Sequence, residues 1–267
     1  MDFTLDDEQQ ALVGLAKDIL SKESTQERLN ALDAKDTWFD SDLWAQLAEA
    51  GIVGAALGED VGGGGLGFAA AALVCEQVGA HVAQVPLLEC VVAAALPLDQ
   101  FGTPEQRQRD LPDVVSGMAM LTAALTETGR ESPLDVATTA VAAGDGYVVT
   151  GLKTSVPFAD VARRILVPAR TADGVVLLLV EPGAEGLSLR EGTGSNGIPL
   201  FELDLAEVKA EVLAEGEDAL AWVVDRVLTA LASTGVGVSS TALRLAAAYT
   251  TTREQFGRAI ATFQAVG

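Results

Sequence analysis

The residues that first suggest chemistry are one histidine, two cysteines and a run of glycines. His81 would have to carry any Ser-His-Asp or Cys-His nucleophilic site alone, and no GxSxG elbow accompanies it, so hydrolysis by that route is excluded. Cys75 and Cys90 lie in alanine-rich stretches with neither CxxC spacing nor a neighbouring histidine, which predicts small core residues and no metal site. Gly58, Gly62, Gly63, Gly64, Gly65 and Gly67 invite a phosphate-loop reading. No Lys-Ser or Lys-Thr follows them, and Glu59 and Asp60 sit among them, so a tight turn feeding the next helix is expected instead. With 38 acidic against 17 basic residues the net charge is −21, which repels phosphate backbones and anionic lipid and excludes nucleic acid and membrane surfaces as partners.

These groups must be positioned by helices at both ends and strands between. Of 267 residues 49% are apolar but only 5% aromatic, the composition of closely packed helices. Leu12, Leu15, Ala16, Ile19 and Leu20 recur at helical spacing, predicting a helix over 6–29 with Thr4 as its cap. A second helix begins near Asp40 or Ser41, carries Leu43, Trp44, Leu47 and Ala48 on one face and stops before Gly51; Trp44 reads as core. Further helices are expected over 68–79, with Glu76 inside, and over 86–96, and another starts at Thr103-Pro104-Glu105-Gln106.

After residue 117 the period shortens to strand-like runs at 119–125, 138–143, 147–150, 165–168, 175–181 and 201–205. Asp145-Gly146 and Asp173-Gly174 are hairpin signals, with glycine supplying the positive φ. From 217 to about 248 a long helix is expected, its apolar face including Leu220, Val224, Leu228, Leu231, Val236 and Leu243. It continues through Arg253-Glu254-Gln255-Phe256-Gly257, and a new helix starts near Ala261. So wide a face needs partners from another chain or from further residues. The fold class is α+β multidomain: an N-terminal helical bundle (1–117), a middle β-barrel or sandwich (118–213) and the incomplete start of a C-terminal helical bundle (214–267). No run of about 18 uninterrupted apolar residues and no basic leader occurs, which places the chain in the cytoplasm.

Several separated phrases in this order carry a resemblance. They are Met1-Asp2-Phe3-Thr4-Leu5 with Glu8-Gln9, Leu43-Trp44-Ala45-Gln46-Leu47-Ala48-Glu49-Ala50-Gly51, Gly102-Thr103-Pro104-Glu105-Gln106 with Leu111-Pro112, Arg253-Glu254-Gln255-Phe256-Gly257-Arg258, and Phe263-Gln264-Ala265-Val266. Together they span essentially the whole chain and resemble the acyl-CoA dehydrogenase family. The resemblance implies an FAD enzyme that oxidises an acyl-CoA thioester to its trans-2-enoyl-CoA. A carboxylate removes the α-proton, the β-hydrogen passes as hydride to the flavin, and an electron-transfer flavoprotein takes the electrons.

The resemblance also implies roles for particular residues. Leu125, Thr126 and Glu127 fall where a strand end meets the isoalloxazine ring, and Ser132 falls near flavin phosphate and CoA; turn chemistry is the plainer reading of Thr126 and Ser132. The family's Pro, Ala-Gly and Ser-Asp are replaced here by Thr128-Gly129-Arg130-Glu131-Ser132-Pro133. Ser155 and Pro157 occupy the places of a flavin-facing Trp and a Thr or Ser, and Pro157 has no N–H to give. Arg253 lies where a guanidinium meets the FAD diphosphate of a neighbouring subunit, with Phe256 at its adenosine end and Gln264 completing the contact; otherwise Arg253 answers a helix macrodipole. The helix position of the base is Val227, which accepts no proton, and the alternative loop position would lie beyond residue 267. Asp225 is the nearest carboxylate, on a CoA-contacting position, and reads equally as a solvated helix charge.

Some relatives pair two unlike subunits, hold FAD at only one kind of interface and act on bulky thioesters such as steroid side chains. The altered loop, Pro157 and Val227 point towards such a subunit, in a dimer or dimer of dimers. Two other readings stand beside it: a self-sufficient dehydrogenase, and a non-catalytic, FAD-poor partner or scaffold.

Overall fold

The computed structural model describes residues 4–35 and 38–264, so residues 1–3 of the opening motif and 265–267 at the end of the closing one lie outside the described residues. Helix α1 (Asp7–Glu23) is capped by Asp6 rather than Thr4. The Gln9 N–H donates to Asp6 Oδ1 at 2.7 Å and the Asp6 N–H to Gln9 Oε1 at 3.3 Å, the reciprocal pair that an acid with Gln at the third helical position allows. Nor does α1 continue to 29. Thr25 accepts from Arg28 N and starts a separate α2 (Gln26–Asp33), while Arg28 bonds Glu23 at 2.7 Å and buried Asp40 at 2.6 Å. Asp40 in turn caps α3 (Ser41–Glu49) through Leu43 N, so one guanidinium fixes the corner between three helices. Trp44, Cys75 and Cys90 are buried, as expected.

The glycine run makes a close turn: a Cβ on Gly63 would lie 2.2 Å from Leu57 O, and one on Gly64 2.9 Å from Ala55 O. It delivers the chain into α4 (Gly67–His81). A π-helical segment (Leu87–Ala95) then runs into α5 (Leu96–Phe101), and α6 (Pro104–Val115) opens with the Thr103–Gln106 capping box.

Seven strands follow: β1 (Met120–Ala123), β2 (Thr139–Ala143), β3 (Gly146–Pro157), β4 (Ala162–Thr171), β5 (Gly174–Val180), β6 (Leu187–Thr193) and β7 (Pro199–Glu215). Their order is β1-β4-β2-β3-β7-β5 with β6 beside β7; β5 also pairs β4, so the sheet curls back on itself through the single Thr139–Arg170 bridge. No strand is expected from sequence over 187–193, where only Leu187 and Leu189 supply an apolar alternation. β3 and β7 outrun the expected 147–150 and 201–205 because their pairing absorbs two register shifts, between Val149 and Gly151 and between Lys153 and Val156. At the first hairpin the positive φ is at Gly144 (67°), and Gly146 is already strand, paired with Ala143.

The last long helix, α7 (Glu217–Thr252), does not run through Gly257. The hydroxyls of Thr250, Thr251 and Thr252 bond back to carbonyls of 247–249, and Phe256 and Gly257 adopt positive φ of 53° and 75°. The chain instead forms a hairpin of β8 (Glu254–Gln255) and β9 (Arg258–Ala259). A short 3-10 turn, Ile260–Thr262, replaces the helix expected near 261. By length and composition alone α7 could cross a bilayer, yet its Ala219, Leu220, Val223, Val224, Ala230 and Gly237 are buried against the other elements.

Alternation splits the core in two. Leu177 and Leu179 of β5 pack with α1, α3, α4, the π-helical segment and α7, whereas Val176, Leu178 and Val180 fill the inside of the curled sheet with Ile165, Leu203 and Leu205. Helix α7 is drawn tightly onto α4: a Cβ on Gly237 would lie 2.0 Å from Glu76 O, and one on Gly79 2.1 Å from Thr234 O.

Candidate functional site

The end of β1 and the bulged end of β3 are brought together. Thr154 N donates to Thr126 O at 2.9 Å, and the Thr126 hydroxyl donates to Thr154 O. Leu125 packs half-buried on the helical core. Glu127 turns inward rather than outward: its carboxylate accepts from Lys153 Nζ at 2.6 Å, Ala137 N at 2.7 Å and Thr138 N at 3.1 Å. Burial opposes the charge on Glu127, but the Lys153 ammonium and the two N–H donors outweigh it and hold the carboxyl below its usual range. Burial lowers Lys153 from its ordinary value despite that partner. Glu127 therefore anchors the loop beside the sheet end, and the groups left facing outward are hydroxyls.

Ser155 is exposed in the left-handed region at φ 54°, as the bulge requires. Pro157 offers no N–H, and its carbonyl accepts from Thr122 Oγ1 at 2.7 Å. Ser132 is exposed in the 128–135 loop, where its Oγ accepts from Leu134 N at 3.2 Å, a turn bond that leaves the hydroxyl proton free.

A second set lies on the C-terminal tail. Arg253, Phe256 and Gln264 are all exposed, Phe256 to 94%, and Phe256 meets Phe263 edge-on at 6.3 Å. Arg253 makes no ion pair among the described residues. So exposed a tail adds nothing to the sheet end of its own chain. On α7, Val227 packs on the helical core, whereas Asp225 is exposed. The neighbouring Arg226 turns away from the expected site to stack 3.5 Å over Trp222, donating to Trp222 O.

Sequence reasoning missed a cavity beside α7. A half-open cavity of about 330 Å³ is lined by α4, the Gln84–Glu89 stretch, the β6–β7 turn and the middle of α7, with apolar walls from Val78, Leu88, Ile198 and Val238. Glu89 lines it, and burial pushes its carboxyl up to about 7. The available signal was one acid inside the apolar run 85–98, where a charge has few polar neighbours.

For FAD, the fit is divided. Hydroxyls at Thr126 and Ser155 suit the polar edge of a flavin ring and an unpaired guanidinium at Arg253 suits a diphosphate, but Pro157 cannot donate.

Residues 6–118 match the family model described as Acyl-CoA dehydrogenase, N-terminal domain. The whole chain aligns with Acyl-CoA dehydrogenase FadE27 of Mycobacterium tuberculosis at 38% identity, spanning 71% of that protein. Among solved structures it resembles a variant of the Tcur3481-Tcur3483 steroid ACAD, with TM-score 0.93 and 42% identity over 98% of this chain and 72% of that one. It also resembles the ChsE4-ChsE5 complex from Mycobacterium tuberculosis, with TM-score 0.91 and 36% identity over 99% of this chain and 72% of that one.

Proposed function

The chain belongs to the acyl-CoA dehydrogenase family, flavin-dependent oxidoreductases acting on CH–CH bonds, and from that premise we propose that it is one of two unlike subunits sharing FAD sites. The observation that carries this reading is that Arg253, Phe256 and Gln264 are exposed on the tail and, among the described residues, Arg253 has no ion pair within its own chain. In the assembly Arg253, Phe256 and Gln264 would hold the FAD of a neighbouring subunit, the Arg253 guanidinium supplying a fork suited to its diphosphate. Thr126, Ser132 and Ser155, with the Leu125 backbone, form the flavin-facing edge of this chain, and Glu127 with Lys153 keeps that edge in place.

When bound, FAD accepts the β-hydrogen of the thioester together with its electron pair. This chain holds the acyl portion against the apolar walls of the cavity between α4 and α7 and presents Ser132 and Asp225 to the CoA moiety. Val227 cannot take the α-proton, so the acceptor is a carboxylate other than one at this helix position. Pro157 and Val227 also favour a second reading, a subunit that supports its partner without dehydrogenating anything itself. Leu228, Val236, Leu243, Leu245 and Tyr249, all more than half exposed on α7, form the face that the oligomer covers. The division at residues 117 and 213, the cytoplasmic location and an electron-transfer flavoprotein as acceptor are parts of the same proposal.

The test is a visible spectrum with an activity assay. The pure chain should be colourless, and co-expression with an unlike acyl-CoA dehydrogenase subunit should give a yellow complex that bleaches with acyl-CoA. In that complex Arg253→Ala should release FAD while leaving the fold of this chain intact. Stoichiometric FAD and unaided dehydrogenation by the single chain would refute the two-subunit reading.

A further inference from the structure

The cavity between α4 and α7 is apolar but not uniformly so, and its polar groups differ in whether they are already engaged. Thr234 Oγ1 donates to Ala230 O at 3.0 Å within its own helix, and Cys75 is in hydrogen-bonding reach of that hydroxyl. Asn196 Oδ1 accepts from Ile198 N at 3.3 Å. Two acceptors remain. Gln84 Oε1 is shielded from solvent and has no hydrogen-bond partner among the described residues, although the Gln84 backbone carbonyl accepts from Asp40 N at 2.9 Å. The Glu89 carboxyl lines the same space with its own backbone N–H as a donor, and among the described residues no Lys, Arg or His side chain does.

A buried amide oxygen without a donor is costly, and so is a carboxyl facing apolar walls; natural sites keep such groups where something supplies the missing bond. Two acceptors on one wall ask for a donor. A ligand filling this space by its hydrocarbon body and carrying a hydroxyl would donate to one of them and, where Glu89 holds its proton, accept from it. An ammonium group fits less well, because it would have to leave water for a cavity whose only acid is half neutral near pH 7.

We propose that this cavity selects an acyl group bearing a hydroxyl on its distal, otherwise apolar body, with Gln84 Oε1 and the Glu89 carboxyl as the selecting groups. The inference rests on the reading that this chain receives the acyl portion of a CoA thioester, and goes beyond it by naming what that portion carries. A site built to bond a hydroxyl discriminates against the analogue that lacks it, since the buried acceptors are then left unpaired.

Calorimetric titration of the full chain, without electron acceptor, compares octanoyl-CoA, 8-hydroxyoctanoyl-CoA and 8-aminooctanoyl-CoA. The hydroxylated thioester should bind about tenfold more tightly than octanoyl-CoA and more tightly than the amine. In Glu89→Gln combined with Gln84→Leu the hydroxyl preference should fall to about one. The wild-type comparison needs no variant, so a misfolded double mutant leaves the proposal open to refutation. Equal affinity for octanoyl and hydroxyoctanoyl thioesters, meaning that water serves these acceptors, overturns the inference alone, as does tighter binding of the amine. Absence of binding by all three overturns both the inference and the reading beneath it.

Discussion

Replacing Glu89 by Gln isolates one ionisation in the interior and makes the stability of the protein depend on pH in a calculable way. The carboxyl titrates near 7 in the folded chain against 4.5 for the ordinary group, chiefly through burial, with its own backbone N–H as a lesser opposing influence. Because the folded value is the higher one, the native state keeps its proton between about 4.5 and 7 while the unfolded chain has released it. Stability is therefore lost as pH rises through that window and is lowest above it. A shift of roughly 2.5 units at about 1.4 kcal/mol each sets an upper bound of about 3.4 kcal/mol, and cavity access reduces it to about 2 kcal/mol between pH 5 and pH 8. Glutamine does not titrate, so Glu89→Gln should gain on the wild type by that amount over the same interval. Cys75 and Cys90, both pushed up to about 12 by burial, contribute nothing within it. Urea unfolding of both proteins at half-unit steps of pH measures the difference directly. A difference that stays flat, or shrinks as pH rises, refutes the assignment of a desolvated carboxyl to this wall.

Two further outcomes follow from the packing. Gly237→Ala should cost about 2 kcal/mol or more in thermal unfolding, because its Cβ would sit 2.0 Å from Glu76 O and separate α7 from α4. Gly235→Ala, two residues away with nothing within 4 Å of its Cβ, should instead be neutral or stabilise by up to about 1 kcal/mol. Lys153→Met should destabilise by about 3–5 kcal/mol at pH 7, since it leaves the buried Glu127 carboxylate with two N–H donors and no cation. Denaturant titration of Lys153→Met beside Lys153→Met/Glu127→Gln checks this, as the double variant should recover part of the loss.

What was legible in the sequence followed from periodicity. Leu43, Trp44, Leu47 and Ala48 announced the buried face of α3, and Thr103 followed by Pro104 and Glu105 announced the start of α6, because both signals lie within one or two turns. The break after Glu23 was not legible: Thr25 and Arg28 fit a continuous helix, and only Asp40, brought in from the next element, makes the corner favourable. The end of α7 was misread for a similar reason, since Phe256 carries a positive φ that its side chain does not advertise. Among site residues, the juxtaposition of 125–127 with 155–157 came from family likeness. Glu127's inward turn onto Lys153 depends on a bulge in β3 that shifts every side chain after it.

The same helix crossing that costs α7 its side chains at Gly237 also shapes the ligand wall. With Gly79 and Gly237 in near backbone contact, Leu231, Thr234 and Val238 are held against Val78 and Cys75, and the space left beneath them is closed by the Gln84–Glu89 stretch. That stretch runs into a π-helical segment, whose wider turn rotates each successive side chain less than an α-helix would and is a recurrent feature of functional positions. Further along, α7 keeps Leu243, Leu245 and Tyr249 exposed. One helix thus serves two purposes with two compositions: small residues where it must approach α4 closely, and large apolar ones where it awaits another surface. A change that loosened the glycine crossing would therefore alter the cavity that Gly79 lines and the exposed end of α7 together.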